Sequence, residues 1–226
     1  MTTNKPFILT LDGPSGCGKS AVTQILANTL KWHALDSGAI YRFFAWYKLS
    51  NPDDSTQTCM CQINFNDLEF QQAGVGQVSQ VFFKNQDISK IIRTNEVAKA
   101  ASLISAKPEV RDYLFNFQRS FAKPPGLIAE GRDMGTVIFP EANLKVFMTA
   151  AAEIRAERRM KQLNMHYNSV TFTQLVDEIE ARDKRDAERA FSPMRPAEDA
   201  ALLDTSEMSI QQTVQWILDQ IHPPNL

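Results

Sequence analysis

One run of residues in the chain has the types and spacing needed to bind phosphate. The pattern Gly-x-x-x-x-Gly-Lys-Ser spans Gly13 to Ser20, directly after an apolar stretch at residues 7–11. Its glycines let backbone N–H groups turn towards phosphate oxygens, and the helix that follows adds its positive N-terminal end. The pattern predicts a nucleoside triphosphate site, with Lys19 at the β- and γ-phosphates and Ser20 as a candidate magnesium ligand. The residues expected to contact the nucleotide are Gly13, Pro14, Ser15, Gly16, Cys17, Gly18, Lys19 and Ser20.

The composition describes a chain able to form one folded domain with a sizeable core. It has 226 residues, of which 43% are hydrophobic, and a formal net charge of −2. This charge gives no general affinity for nucleic acid or membrane, so any basic surface must be local. No stretch approaches the roughly 20 apolar residues of a membrane span, and no basic N-terminal segment precedes an apolar one. We therefore expect a cytoplasmic protein with neither nucleic acid nor membrane as a partner.

Strand-like and helical patterns alternate along the chain. We predict strands at residues 7–11, 78–83, 127–129, 144–148 and 201–203, and helices at residues 19–30, 38–49, 94–106, 109–121, 151–163, 171–189 and 210–221. Residues 51–58 are predicted as a loop and residues 60–90 as a small β-containing insertion. The alternation favours an α/β fold with a doubly wound parallel sheet, which binds ligands at the carboxyl ends of its strands. The phosphate loop, Asp36 and the run from Glu130 to Asp133 all follow apolar strands, so we expect them to converge there.

Several arginines lie at the ends of predicted elements, where they can neutralise a transferring phosphoryl group. Arginine suits this role because it is planar, permanently charged and able to bind two oxygens at once. Arg42 lies a few residues after Asp36, and Arg132 directly follows a core strand. Two further groups share helical faces, namely Arg155, Arg158 and Arg159, and Arg182, Arg185 and Arg189. For both helical groups, the alternative to a role in phosphate binding is that the arginines lie on a solvated helix face and pair with neighbouring carboxylates.

The phosphate-binding motif by itself does not separate kinases from switch GTPases or ATPase motors. A switch GTPase should carry an Asn-Lys-x-Asp segment that reads guanine, and the sequence contains none. An isolated motor domain would not need so many arginines near the phosphates. A small-molecule kinase fits best, since it has two anionic substrates and needs a lid that excludes water. RNA binding by the helix at 171–189 is disfavoured, because Asp183 and Asp186 would repel phosphates and no aromatic residue lies among its arginines.

Four segments carry a closer match to a known family. They read Asp12-Gly13-Pro14-Ser15-Gly16-x-Gly18-Lys19, Leu35-Asp36-Ser37-Gly38-Ala39-Ile40-Tyr41-Arg42, Gly131-Arg132-Asp133-Met134-Gly135-Thr136 and Arg182-Asp183-x-Arg185-Asp186-x-x-Arg189. In these segments, in their order and in the insertion after the second, the chain resembles the bacterial cytidylate kinases, which are nucleoside-monophosphate kinases. The resemblance covers nearly the whole chain. The second and third segments are specific to the family, whereas the first is shared with many phosphate-loop proteins.

The resemblance implies a P-loop kinase fold in a single domain of three parts. The core would comprise residues 1–50, 92–161 and 190–226, the monophosphate-binding insertion about residues 51–91, and the lid about residues 162–189. The implied reaction transfers the γ-phosphoryl group of ATP to CMP or dCMP, giving CDP or dCDP in pyrimidine nucleotide metabolism. ATP and Mg²⁺ would be the cofactors, CMP and dCMP the small-molecule partners, and the enzyme would act as a monomer.

The resemblance also implies roles for individual residues. The catalytic residues would be Lys19, Arg132, Arg158, Arg159 and Arg189. The acceptor phosphate would be bound by Ser37, Arg42 and Arg132. The cytosine would be bound by Ser102, Arg111 and Asp133, where Asp133 accepts from the amino group that uracil lacks. The ribose hydroxyls would be bound by Arg182 and Asp186. Tyr41 would pack beside the nucleotide. The phosphates would be approached by Arg158, Arg159 and Arg189 as the lid closes.

One position departs from the pattern of the family. Glu130 stands where an aspartate is expected before Gly131. A carboxylate is retained, so Glu130 is a candidate to hold magnesium through a bound water, but its longer side chain shifts the geometry. Ser20 is compatible with direct magnesium binding.

Two other functions compete with this interpretation. In the first, the chain is a phosphate-loop kinase with another acceptor, such as UMP, AMP, shikimate or dephospho-coenzyme A. In the second, it is a nucleotide-binding protein without transfer activity. The segments at 36–42 and 131–136 argue against another acceptor. Intact Lys19, Arg42 and Arg132 argue against the loss of transfer.

Overall fold

The structure of the protein is a computed structural model that describes residues 5–71, 79–163 and 169–221. Its strands are β1 (Phe7–Asp12), β2 (His33–Asp36), β3 (Leu68–Gln71), β4 (Gln80–Phe83), β5 (Gln86–Asp87), β6 (Gly126–Glu130), β7 (Leu144–Thr149) and β8 (Ala201–Asp204). Its helices are α1 (Lys19–Leu30), α2 (Ser37–Ser50), α3 (Thr56–Gln62), α4 (Asn95–Ile104), α5 (Pro108–Arg119), α6 (Ala152–Gln162), α7 (Ser169–Ala187) and α8 (Ile210–Ile221).

A parallel five-stranded sheet runs through the protein in the order β2–β6–β1–β7–β8. All four strand pairs in it are parallel. Parallel neighbours need crossover connections, and helices supply them on both faces of the sheet. The doubly wound α/β fold predicted from the alternating sequence pattern is therefore confirmed.

Successive side chains of a strand point to opposite faces of the sheet, so the apolar core is divided into one cluster on each face. Ile8 and Leu127 pack in the cluster that also contains α2, α4 and α5 residues. Leu9, Leu11 and Ile128 pack in the cluster that contains α1 and α8 residues. The interior strand β6, which lies between β2 and β1, is buried along its whole length, as expected for a strand covered on both faces. The positions at its carboxyl end are thus held by a rigid scaffold.

The insertion after α2 forms its own antiparallel sheet in the order β3–β4–β5. It packs onto α5 through aromatic rings, since Phe65 stacks on Phe117 with centroids 4.1 Å apart and an interplanar angle of 10°. The small β-containing insertion expected here is present. Residue 78, the first of the strand predicted at 78–83, lies outside the described residues, and the described strand begins at Gln80.

Two local predictions differ from the structure. Residues 51–58 are not loop throughout, because α3 begins at Thr56 with the Ser55 hydroxyl accepting from Thr58 N at 3.0 Å. A seven-residue helix is too short to show periodicity, so only this cap marks it. The helix predicted at residues 109–121 begins one residue earlier, at Pro108, since proline fits a helix's first turn. No helix among the described residues is long and apolar enough to cross a membrane.

Gly126 supports a close approach between β6 and the segment before β2. A Cβ built at Gly126 would lie 2.5 Å from Cδ2 and 2.6 Å from Cε2 of the Trp32 indole. We predict that Gly126→Ala lowers the free energy of unfolding by about 1–3 kcal/mol, because the added methyl overpacks a buried contact. Urea unfolding measures this cost. In a Trp32→Ala background the same glycine change should cost clearly less, and an equal cost in both backgrounds would contradict the steric explanation.

Candidate active site

Three strands bring the predicted functional segments to one edge of the parallel sheet. β1 ends at Asp12 directly before the phosphate loop at residues 13–20, while β2 ends at Asp36 and β6 at Glu130. In the sheet register, Glu130 lies beside Asp36 on one side and Leu11 on the other. The convergence expected from the sequence is therefore present.

The phosphate loop adopts a backbone that its glycines permit. Gly13 has a φ of +134°, and a side chain there would collide with the Met148 carbonyl oxygen. Lys19 is buried, and its Nζ donates to Gly13 O at 2.7 Å and to Pro14 O at 2.6 Å. Burial lowers the pKa of this ammonium group. The loop therefore holds a buried cation where phosphate oxygens would be bound.

Two oxygen-bearing side chains beside the loop suit a magnesium ion. The Ser20 hydroxyl donates to Glu130 Oε2 at 2.8 Å. Burial, followed by the nearby Asp36 charge, raises the pKa of Glu130 to about 8, so a cation bound here would favour its ionised form. Among the described residues no group of three His, Cys, Asp or Glu side chains could hold a metal. This donor set fits Mg²⁺, which usually takes one or two protein oxygens and completes its shell with waters and substrate phosphates.

Asp12 fixes the turn that follows β6. Its two carboxylate oxygens accept from the backbone N–H groups of Met134 and Gly135, each at 2.8 Å. These residues begin a π-helix at Met134–Ile138, an irregular turn that recurs at functional sites. Burial raises the pKa of Asp12 to about 6. These two hydrogen bonds fix the turn that directly follows Arg132 and Asp133.

Arg132 links the phosphate loop to α7. Its Nη1 donates to Gly13 O at 2.9 Å, and its Nε pairs with Asp186 Oδ2 at 3.0 Å. Asp186 is buried, so its charge is matched by the guanidinium rather than by water. The predicted catalytic arginine thus lies between the donor loop and the helix that the resemblance assigns to the lid.

Other predicted arginines surround Arg132 closely enough to repel it. Burial, followed by the charge of Arg132, lowers the pKa of Arg182 to about 10, and Arg42 acts in the same direction. Arg182 Nε has no hydrogen-bond partner among the described residues. Burial and the charge of Arg42 likewise lower the pKa of Arg159. A set of cations that destabilise one another in this way is a site prepared for an anion.

The predicted base-reading residues form a buried ion pair. Arg111 Nη2 donates to Asp133 Oδ2, and the two side chains are 7% and 4% exposed. The Tyr41 ring lies against the guanidinium, with Arg111 Cζ 5.5 Å from the ring centroid. Burial raises the pKa of Tyr41 to about 12, so the ring stays neutral. Arg189 lies near this pair, donating to Ser105 Oγ at 3.4 Å.

Three predicted residues have contacts that the sequence did not suggest. The Ser37 hydroxyl is buried and donates to Gln118 Oε1 at 2.9 Å. The Ser102 carbonyl on α4 accepts from the Ser105 hydroxyl at 3.0 Å. Arg158 Nη2 donates to Thr205 O at 2.6 Å, on the donor side of the site. The structure therefore does not bring Arg158 into the group of Arg42, Arg132 and Arg182, and these predicted roles stay predictions.

Arg155 lies beside the phosphate loop, although the resemblance gave it no role. A solvated face is wrong for it, because Arg155 is buried and its Nε donates to Ala150 O at 2.9 Å. Its Nη1 donates to Ser15 O in the phosphate loop at 3.2 Å and also pairs with Asp183 on α7. Its place in the Arg155, Arg158 and Arg159 cluster was the available signal, but only the fold shows which member turns inward.

A P-loop kinase-like α/β protein is the class that this sheet order and phosphate loop define. A model of the family described as cytidylate kinase matches residues 9–223 of the chain. A cytidylate kinase of Pseudomonas entomophila (strain L48) is 45% identical over 216 residues, 95% of each chain. One of Pseudomonas syringae pv. tomato (strain DC3000) is 44% identical over 96% of each. The chain belongs to the cytidylate kinase family.

A solved structure supports the fold independently of close sequence similarity. An uncharacterized protein from Eubacterium ventriosum ATCC 27560 superposes with a TM-score of 0.55 at 14% identity. The match covers 97% of this chain and all of that one. At this identity the likeness shows the fold alone.

The pKa of Asp12 predicts a pH dependence of stability. Because the folded protein binds this proton more tightly than the unfolded chain, the stability that Asp12 contributes is present below about pH 4 and is lost as the pH rises through about 6. We predict that the difference in free energy of unfolding between wild type and Asp12→Asn shrinks by up to about 3 kcal/mol from pH 4 to pH 7. Urea unfolding at several pH values measures it.

The matched control for this experiment is Asp177→Asn, on the exposed side of α7. Its difference from wild type should stay nearly constant over the same pH range. An Asp12→Asn difference that stayed equally constant, or grew with pH, would contradict the assignment.

Proposed function

We propose that the chain transfers the γ-phosphoryl group of ATP to CMP or dCMP, giving CDP or dCDP. The observation that carries this proposal is the buried Arg111–Asp133 pair placed beside the arginine group at the phosphate loop. A pyrimidine base at the pair would put its phosphate among the arginines. Membership of the cytidylate kinase family supports the same acceptor.

The proposed base selection follows from hydrogen-bond polarity. Asp133 gives one carboxylate oxygen to Arg111, and its other oxygen is suited to accept from the cytosine amino group. Arg111 and Ser102 donate to the ring carbonyl and ring nitrogen. Uracil carries a carbonyl in place of the amine, so it would face Asp133 with acceptor against acceptor, and a buried unpaired polar group is costly.

The proposed phosphate contacts divide into two sets of residues. Lys19, Arg158 and Arg159 are assigned to the donor phosphates, together with the loop Gly13, Pro14, Ser15, Gly16, Cys17, Gly18 and Ser20. Ser37, Arg42, Arg132 and Arg189 are assigned to the acceptor phosphate, and Arg182 and Asp186 to the ribose. Lys19 exchanges its bonds to loop carbonyls for bonds to phosphate oxygens. Arg132 lies between the two sets, where charge develops during transfer.

No covalent nucleophile is required, because the acceptor phosphate already carries negative charge. Positioning of the two substrates and neutralisation of the transferring group supply the catalysis. Mg²⁺, the proposed companion of ATP, neutralises phosphate charge when it is bound, and Ser20 and Glu130 would hold it, Glu130 through a water. All proposed contacts come from one chain, so a monomer is sufficient.

We propose that the protein works as one domain with two mobile parts. The core is residues 1–50, 92–161 and 190–226, the acceptor-side insertion is about 51–91, and the lid is about 162–189. The ion pairs from α7 to Arg132 and Arg155 support this assignment, because they connect the lid to the phosphate loop. Closure of the lid would exclude water and so favour transfer over hydrolysis.

An acceptor panel tests the proposed reaction. ADP release from Mg·ATP is followed with CMP, dCMP, UMP, AMP and GMP, and with no acceptor. We predict rapid turnover with CMP and dCMP and little with the others. Turnover led by another acceptor would contradict the base-reading scheme, and acceptor-independent ADP release would contradict the kinase assignment.

Loss of an arginine assigned to the transition state should greatly reduce catalysis. We predict that Arg132→Ala and Arg189→Ala each lower kcat/KM for CMP by about 10³-fold or more. Arg185→Ala is the matched control, since Arg185 lies near the end of α7, four residues before Arg189, but is exposed. It should change kcat/KM by less than about threefold. A loss below about tenfold at Arg132 or Arg189 would remove that residue from the catalytic set.

A further inference from the structure

Arg111 is held by three separate parts of the chain. Its Nη1 donates to Ser105 O at the end of α4 at 2.9 Å, and its Nη2 pairs with Asp133 after β6. Its Nε donates to the Ser192 hydroxyl at 2.9 Å. A guanidinium is planar, so contacts at Nε, Nη1 and Nη2 together fix its plane as well as its position. Of these three contacts, the one at Nε comes from the segment after α7, through Ser192.

Ser192 lies in a short segment whose backbone is tightly constrained. Its φ of +49° is in the left-handed region, which an L-residue other than glycine adopts infrequently. Met194 N donates to Asp186 O at 2.8 Å, and Arg189 Nε donates to the same carbonyl at 3.2 Å. The end of α7 therefore determines where the Ser192 hydroxyl lies.

The same residue, Asp186, connects this segment to the phosphate site. Its carbonyl holds the Ser192 segment, and its carboxylate pairs with Arg132 at 3.0 Å. A displacement of α7 would move both the partner of Arg132 and the partner of Arg111. The base-reading guanidinium and the phosphate-binding guanidinium are thus connected through one buried residue, Asp186, by its backbone carbonyl and its carboxylate.

We propose that Ser192 is a positioning residue for Arg111, so that selection of the acceptor base depends on the segment that follows α7. This inference rests on the proposed function. Without the hydroxyl, Arg111 Nε loses its acceptor in a buried environment, and the guanidinium plane is free to rotate about the remaining contacts. Asp133 then presents its second oxygen less accurately, and the distinction between an amine and a carbonyl on the base weakens.

The test compares kcat/KM for CMP and for UMP in wild type, Ser192→Ala and Ser192→Gly. Both variants remove the hydroxyl, but glycine also removes the backbone strain of the left-handed conformation. We expect both to lower the ratio of kcat/KM for CMP over UMP roughly tenfold, the size expected for a lost hydrogen bond to a charged group. The change should come mainly from a higher KM for CMP, with kcat within about threefold and the KM for ATP unchanged.

Ser120→Ala is the matched control for a lost serine hydroxyl. Ser120 lies just after α5, which carries Arg111, and its exposed hydroxyl donates to the local Phe117 O at 2.7 Å. It should leave the CMP-to-UMP ratio at the wild-type value. A rise in the KM for CMP and ATP alike in the Ser192 variants would show a general structural effect and overturn the inference.

The design separates failure of this inference from failure of the proposed function. A wild-type enzyme without preference for CMP over UMP would overturn both. A selective wild-type enzyme whose two Ser192 variants keep the CMP-to-UMP ratio within twofold would overturn only the role of Ser192.

Discussion

Repulsion among partly buried arginines at one edge of the parallel sheet is the constraint on which the site depends. Burial lowers the pKa values of Arg159 and Arg182, the charge of Arg42 lowers both further, and that of Arg132 adds to the effect on Arg182. In a chain of net charge −2 this concentration of cations is local. Buried charges persist only when they are paired or hydrogen-bonded, so the fold must supply carboxylates at matching positions.

Those carboxylates come from different elements of the chain. Asp133, fixed by the turn after β6, pairs with Arg111, whereas Asp183 and Asp186 on α7 pair with Arg155 and Arg132. Two of the three partners thus belong to one helix. Substrate phosphates would compete with α7 for the same guanidinium groups, and this competition connects nucleotide binding to the position of the helix. Electrostatics and the proposed movement of the lid would then have a common physical cause.

The sequence predicted the elements that depend on local patterns. The strand before Gly13, the loop with Lys19 and the amphipathic helix at 210–221 each carry a signal within a few residues, and the structure confirms them. The short helix α3 and the π-helix after Asp133 lack such a signal. Their formation depends on one cap at Ser55 and on the carboxylate of Asp12, which is more than a hundred residues away from its partners.

Contacts between distant parts of the chain limited the prediction of the site. Helical spacing placed Arg155 and Arg158 on one face but did not show that Arg155 is buried against Ser15 while Arg158 contacts Thr205. Likewise, the pattern identified Arg111 and Asp133 only through the resemblance, and nothing in it indicated Ser192 as a third contact. The burial and the contacts of these side chains depend on packing between elements that are far apart in sequence, and a local periodicity carries no information about such packing.

The fate of the γ-phosphoryl group is the most direct test of direct transfer between two bound nucleotides. In a single turnover, enzyme in excess is mixed with CMP, Mg²⁺ and ATP labelled at the γ-phosphate, and the reaction is quenched at successive times. The account predicts that label passes from ATP to CDP at one rate, with none retained on the protein. Label appearing first in inorganic phosphate, or on a side chain, would contradict it.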